Sequence, residues 1–276
     1  MINQLIPAFF LSSSVASLAF WRGSLSKSGV VGALLVGTLI FGLGGWVWGL
    51  LLGIFFISSS LLSHFKEAEK REAAEKFEKG HRRDFGQTMA NGGTGALIAL
   101  LNVLLPSPVW YFMFTGSIAT VTADTWATEL GTLSQNPPRL ITTGEVVEVG
   151  TSGGVSPLGT AVSTLAGLII GLAAGLLGKK PVWKMGIMGA LSGLAGSLFD
   201  SVLGATIQQI FYCDTCEKDT ERKIHTCGTE TRKIRGYSWL NNDRVNLLAS
   251  LVGGIIAILL WQSIRVTKRQ SNHITQ

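Results

Sequence analysis

Long apolar stretches separated by polar ones set the frame of this chain. One apolar run spans about Ile2 to Phe20. A second, from Gly29 to Leu62, would measure roughly 50 Å as one helix against a hydrocarbon core of about 30 Å, so it folds in two. Gly42, Gly44 and Gly45 mark the turn, because glycine takes positive φ without steric cost. Further apolar runs predict helices over about Thr88–Leu105, Trp110–Leu130, Leu158–Gly178, Val182–Phe211 and Val245–Trp261. The expectation is an all-α, polytopic transmembrane bundle of about eight helices, forming a single integral membrane domain over residues 1–276. Gly167, Gly171 and Gly175 in the sixth helix repeat every four residues and predict a helix-packing face.

The polar segments differ from one another. Residues 63–84 alternate Lys and Glu, with Glu67/Arg71, Glu72/Lys76 and Glu75/Lys79 spaced i,i+4 and the acid first. That pattern predicts a charged, solvated helix extending the third span out of the membrane. It ends in His81-Arg82-Arg83-Asp84, where adjacent arginines serve either as headgroup anchors or, with Gln87, Asn91, Gly92 and Gly93, as a phosphate clamp. Residues 213–240 form a second polar segment, and Asn242-Asp243 opens the last helix either as a cap or as part of a site.

Composition sharpens this picture. The 276 residues include 34 Gly, carry only 14% charged residues and have mean hydropathy +0.38, values of a membrane protein rather than a soluble domain. The basic excess, 23 Lys and Arg against 17 acids, sits in loops between apolar runs. It therefore points to membrane lipid headgroups and phosphorylated substrates, not to nucleic acid. No basic residue precedes the first apolar run, while Arg22 and Lys27 follow it, so the run reads as a retained helix rather than a signal peptide. Counted by alternate sides, 17 of the Lys and Arg residues fall on one side and 6 on the other, which predicts that the richer side is cytoplasmic.

Candidate chemistry collects on that side. Asp124 lies inside an apolar run and Glu129 at its edge, Glu145 and Glu148 fall in a Gly/Ser/Thr-rich loop, and Asp200 lies deep in the seventh helix. A carboxylate at membrane depth costs on the order of 3 kcal/mol unless compensated, so each is a functional candidate. Asp124, Glu148 and Asp200 are the candidates for Mg2+, with Glu129 beside them. Glu145, Thr151, Ser152, Gly153 and Gly154 offer further polar groups to phosphate oxygens. Five residues along a helix set Asp124 and Glu129 about 140° apart, so they face one ligand only if the helix end unwinds; otherwise they serve different partners. Cys213-x2-Cys216 and His225-x-Cys227 supply four ligands of the type that hold structural Zn2+; the alternative is three reduced thiols in a flexible loop.

The order of motifs KxxGHRRDxxQxxANGG, TADTWATELG, TTGEVVEVGTSGGVSxLGT, GSLFDSxLGA and WLNNDxVN, from about Gly29 to Trp261, resembles the DUF92 membrane family. That family includes plant and cyanobacterial phytyl-phosphate kinase and the animal transmembrane protein 19. The resemblance implies phosphorylation of an isoprenoid monophosphate to its diphosphate, with CTP or another NTP as co-substrate. On that reading Asp124, Glu129 and Asp200 carry the chemistry with Mg2+, Arg82 and Arg83 clamp phosphate, and the active site faces the cytoplasm. A phosphate monoester is already largely ionised at neutral pH, so no strong base is needed, and no Ser-His-Asp or Cys-His pair stands out. No Walker A motif is present either. A related polyprenol kinase or cytidylyltransferase, an ion-coupled transporter and a structural membrane protein are the other classes. A transporter would concentrate its polar residues near mid-membrane in repeated halves, and no internal repeat stands out here.

Overall fold

The computed structural model of the protein describes residues 2–80 and 82–274. The expectation for His81 lies outside the described residues, as do the side chains of Arg71 and Glu72 and hence the pairs Glu67/Arg71 and Glu72/Lys76. Among the described residues the chain forms nine helices: α1 (Ile2–Trp21), α2 (Lys27–Gly44), α3 (Trp46–His64), α4 (Arg71–Lys76), α5 (Phe85–Leu104), α6 (Val109–Gly131), α7 (Pro157–Leu177), α8 (Val182–Thr206) and α9 (Asn242–Ile274). All but α4 match the eight predicted from the apolar runs. Six of them, α1, α2, α3, α7, α8 and α9, are long and apolar enough to cross a membrane. The protein is a polytopic helical membrane protein.

α6 falls short on hydropathy for a physical reason. Every residue of α6 from Phe112 to Ala123 is buried, so protein rather than lipid surrounds this helix. Most of its threonine hydroxyls bond along its own backbone, Thr115 donating to Tyr111 O at 2.8 Å and Thr122 to Ile118 O at 2.6 Å. A helix sheathed by other helices can carry polar groups that a lipid-facing one cannot. Around it the core closes through stacked rings, Trp48 on Phe114 at 4.3 Å and Phe112 on Trp261 at 3.9 Å between centroids.

Local chemistry sets the breaks. Gly45, at φ +84°, separates α2 from α3, whereas Gly42 belongs to the α1–α2 contact, where a Cβ would lie 2.5 Å from Leu5. α5 opens on a capping box: Gln87 N donates to Asp84 Oδ1 at 2.9 Å, and Asp84 N to Gln87 Oε1 at 3.2 Å. α7 opens on Ser156, which accepts from Gly159 N, followed by Pro157. A Cβ at Gly167 or Gly171 would stand 2.4 Å from Gly189 O or 2.2 Å from Met185 O, so the repeated glycines are the predicted packing face, here of α7 on α8.

Two expectations are corrected. α8 ends at Thr206, not Phe211, because the backbone turns out of the helix: Gln208 N bonds back to Leu203 O and Gln209 N donates to Leu240 O. Strands β3 (Ile210–Cys213), β4 (Lys218–Thr220) and β5 (Arg232–Arg235) follow in an antiparallel sheet ordered β4-β3-β5; a shorter pair, β1 (Arg139–Leu140) with β2 (Gly154–Val155), ties the acidic loop. The second correction concerns the charged helix. α3 stops at His64, the chain turns through Lys66 at φ +51°, and α4 is six residues long. Lys70 and Lys76 are only 8% and 5% exposed, so the segment folds back onto the bundle instead of extending into solvent. Long-range carboxylates at lower dielectric outcompete solvated i,i+4 partners.

The three long loops, residues 65–84, 132–156 and 207–241, leave the same end of the bundle as the α1–α2 link, where Leu25 pairs with Arg83.

Candidate functional site

Where these loops meet the helix ends lies a cleft of about 410 Å³. Asp124 of α6, Asp200 of α8 and Asn246 of α9 line its inner part. Seven residues separate Asp124 from the end of α6, a depth of about 10 Å along the helix. Ser197 Oγ donates to Asp124 Oδ1 at 3.3 Å. The Asn246 carboxamide has two orientations that differ only in exchanging oxygen and nitrogen. With nitrogen inwards it bridges the acids, donating to Asp124 Oδ2 at 3.2 Å and Asp200 Oδ2 at 2.9 Å. With oxygen inwards it completes an all-acceptor group that a cation would reconcile. Neighbouring oxygens of a Mg2+ octahedron with bonds of about 2.1 Å lie about 3.0 Å apart, so the donor set fits that ion in chemistry and its carboxamide-to-carboxylate spacings suit it.

Basic groups surround the mouth. Lys70 pairs with Glu129, and its ammonium also donates to Leu62 O at 2.8 Å. Glu129 accepts a second bond from Ser63 Oγ at 2.6 Å. Asp124 and Glu129 thus serve different partners, as their spacing on one helix requires. Lys79 bridges Asp84, at 3.0 Å, and Asp243. Burial works against its charge, but the two carboxylates outweigh it and hold the ammonium above its ordinary value. Arg83 is buried between the rings of Phe55 and Phe56 and donates to Ser60 Oγ at 2.9 Å. Burial pulls its guanidinium down to about 10, opposed by Glu129, and leaves it cationic at neutral pH.

The remaining wall is the loop Thr151-Ser152-Gly153-Gly154. Gly153 has φ +85°, and a Cβ there would stand 2.5 Å from Ala205 N, so glycine alone lets the loop lie on the end of α8. Ser152 Oγ donates to Glu221 Oε1 at 2.9 Å. Glu221 also accepts from Glu78 N at 3.1 Å and Gln208 Nε2 at 2.7 Å; burial nonetheless pushes its carboxyl above the usual range.

The cleft brings together Arg83, Asn91, Asp124, Glu129, the 151–154 loop, Asp200, Asn242 and Asp243. Other predicted site residues stand elsewhere. Arg82 is exposed, its guanidinium near Gly23. Gly92 and Gly93 are helix contacts, where a Cβ would meet Val36 at 2.4 Å and Met89 at 3.3 Å. Glu145 is exposed on the loop, bonded to Thr143, and does not line the cleft. Glu148 does not line it either: it pairs with Lys76 at 2.6 Å, which lowers its pKa, so it is not a Mg2+ ligand of this arrangement. Asp84 and Gln87 cap α5, and Gln87 lines the cleft as well.

The sequence reading missed Lys70, Lys79, Glu221 and Asn246. The lysines were hidden in a pattern that mimics a surface helix. Asn246 carried a usable signal, standing two residues beyond the polar quartet 241–244, on the first turn of an otherwise apolar run.

A second constellation lies in the sheet region. Ligand atoms of Cys213, Cys216, His225 and Cys227 all lie within 4.8 Å of one another, and the thiols are free.

Comparison with known proteins follows the same boundaries. The family model described as integral membrane protein DUF92 matches residues 10–254. The Arabidopsis thaliana Protein PGR is 33% identical, over 94% of this chain and 98% of its own. An uncharacterized membrane protein of Methanocaldococcus jannaschii, MJ0933, is 35% identical over 86% of each chain. Protein VTE6, chloroplastic, of Arabidopsis thaliana is 27% identical over 87% of this chain and 66% of its own. No solved structure matches.

Proposed function

Because this chain belongs to the DUF92 family of integral membrane proteins, we propose that it is a membrane phosphotransferase that uses CTP or another NTP to convert an isoprenoid monophosphate to its diphosphate. One observation carries the reading: two half-buried carboxylates face a shared carboxamide inside a cleft that also holds Lys70, Lys79, Arg83 and a glycine-serine loop. Acids alone would suit a cation, and bases alone a phosphate. The two together suit a metal-bound polyphosphate.

Asp124, Asp200 and the Asn246 oxygen would hold Mg2+, which when bound neutralises charge building on the transferred phosphoryl group. The protein's own contribution is positioning. Arg83, fixed by two rings and a hydroxyl, presents a rigid cation to phosphate oxygens. The 151–154 backbone supplies amides. The monophosphate oxygen attacks the γ-phosphorus, a new P–O bond forms, the β–γ bridge breaks and the nucleoside diphosphate leaves. No proton has to be removed, because the attacking oxygen is already ionised at neutral pH. An alcohol acceptor would need a base there.

The depth of the acids favours this reading over a carrier. A carrier site lies near the bilayer midplane, about 15 Å from either face of the hydrocarbon core, whereas Asp124 lies about 10 Å from its helix end and opens to loops. The test is purified protein in detergent with Mg2+, labelled CTP or ATP, and matched isoprenoid alcohols and monophosphates. Label should reach the monophosphates. Transfer to none of them would end the kinase reading, and transfer to alcohols alone would replace it with the alcohol-kinase class.

A further inference from the structure

We infer that Cys213, Cys216, His225 and Cys227 form a tetrahedral Zn2+ centre that clamps the lysine-bearing segment against the cleft. The inference rests on geometry in the sheet region and is independent of the kinase reading. Two tight hairpins face each other there. The first is the β3–β4 turn, in which Cys213 pairs with Lys218 and Glu217 sits at φ +53°. The second spans His225 to Thr229: His225 N donates to Thr229 O at 2.9 Å, and Gly228, at φ +85°, donates back to His225 O. Each hairpin supplies two ligands, and the Thr215 and Thr229 hydroxyls meet between them at 3.2 Å.

The spacings match a metal better than a disulfide. Cys213 Sγ and Cys227 Sγ are 3.7 Å apart. A disulfide needs about 2.05 Å. A tetrahedron built on Zn–S bonds of about 2.3 Å has edges of about 3.8 Å. The His225 Nδ1–Cys227 Sγ distance of 3.3 Å is close to the shorter edge expected when one ligand is nitrogen. Cys213 and His225 are buried, so the centre is anchored on its inner side while Cys227 closes it from solvent. Filling all four positions with protein ligands makes the centre structural.

Its consequence runs through β4. Thr220 Oγ1 donates to Lys76 O at 3.2 Å, Glu221 N donates to Lys76 O at 2.8 Å, and Glu78 N donates to Glu221. The strand that leaves the first knuckle therefore holds the end of α4, and with it Lys76 and Lys79.

The full-length protein, purified reduced in detergent, should carry about one Zn2+ per chain by elemental analysis. Cys216→Ser and Cys227→Ser should each abolish it, while Cys216→His should retain it, because imidazole is itself a ligand. Where a serine variant fails to insert, the wild type serves: Zn2+ is chelated and Co2+ added, and thiolate charge-transfer and tetrahedral d–d absorption should appear. Chelation should also speed hydrogen exchange in residues 74–80 by about tenfold or more. Reduced protein without Zn2+, iron in its place, or Co2+ spectra lacking thiolate bands would overturn the centre. Zn2+ present with exchange unchanged on chelation would overturn the clamp.

Discussion

Asp124 and Asp200 come from different helices and meet over one carboxamide, so charge rather than shape is what each contributes that Asn would not. Asp124→Asn or Asp200→Asn keeps volume and most hydrogen bonding, and folding should survive because a neutral amide is easier to bury. Turnover should fall by two or more orders of magnitude, about 3 kcal/mol of transition-state stabilisation, measured as labelled diphosphate formed per chain. Glu145→Gln should leave turnover unchanged, since Glu145 is exposed and does not line the cleft. Active Asn variants at both aspartates would remove them from the site. Both aspartates were legible in the sequence because an ionised group in an apolar run has few explanations. Glu145 and Glu148 were not separable from them: a polar loop gives no periodicity, and only the fold shows Glu148 taken up by Lys76.

At the scale of elements, the segment from Phe65 to Asp84 shows where sequence pattern fails. Its Lys/Glu alternation satisfies the rule for a solvated helix, and nothing local reveals that Glu129 and Asp243, far along the chain, take its lysines. Lys70 is 9% exposed at its side chain and Glu129 21%, so truncating one partner strands the other. Lys70→Met alone should destabilise by about 2–3 kcal/mol, while Lys70→Met with Glu129→Leu should cost less than the two single changes added. Thermal unfolding in one detergent decides this; additive effects would show the pair to be uncoupled. The docking of β4 on α4 makes a second prediction. Glu221 is held protonated more readily in the fold than in the unfolded chain, so its contribution to stability is full in acid, below the ordinary carboxylate range. It is lost as pH rises through the raised value. Glu221→Gln should flatten that decline, read from thermal unfolding across pH. An unaltered pH profile in the variant would assign the slope to other groups. Glu148 has the opposite sign, its lowered pKa giving stability above the ordinary range that is lost in acid, but it is two-thirds exposed and salt should screen it.

Across the whole molecule, apolar run length alone placed the eight long helices, because a membrane span must satisfy its backbone internally and needs about twenty residues to cross. What it could not supply was their arrangement, in particular that the polar α6 is the enclosed centre and not a marginal span. Orientation follows from a different force. The side of the bundle that carries the cleft also holds most of the basic residues, 17 against 6, and positive loops stay on the cytoplasmic side. The cleft should therefore open where nucleotides are. Single cysteines placed at Gly45 and, separately, at Thr143 test this in intact cells with a membrane-impermeant maleimide, each read against the parent chain so that its own three thiols cancel. Gly45 lies in the α2–α3 turn at the opposite end of the bundle from Thr143, so the two sites must differ in access if the helices span. The Gly45 variant should label from outside, and the Thr143 variant only after permeabilisation. The reverse pattern would place the acids, the lysines and the glycine-serine loop on the side without nucleotide, and the proposed phosphotransferase would lose its co-substrate while the membrane bundle stood unchanged.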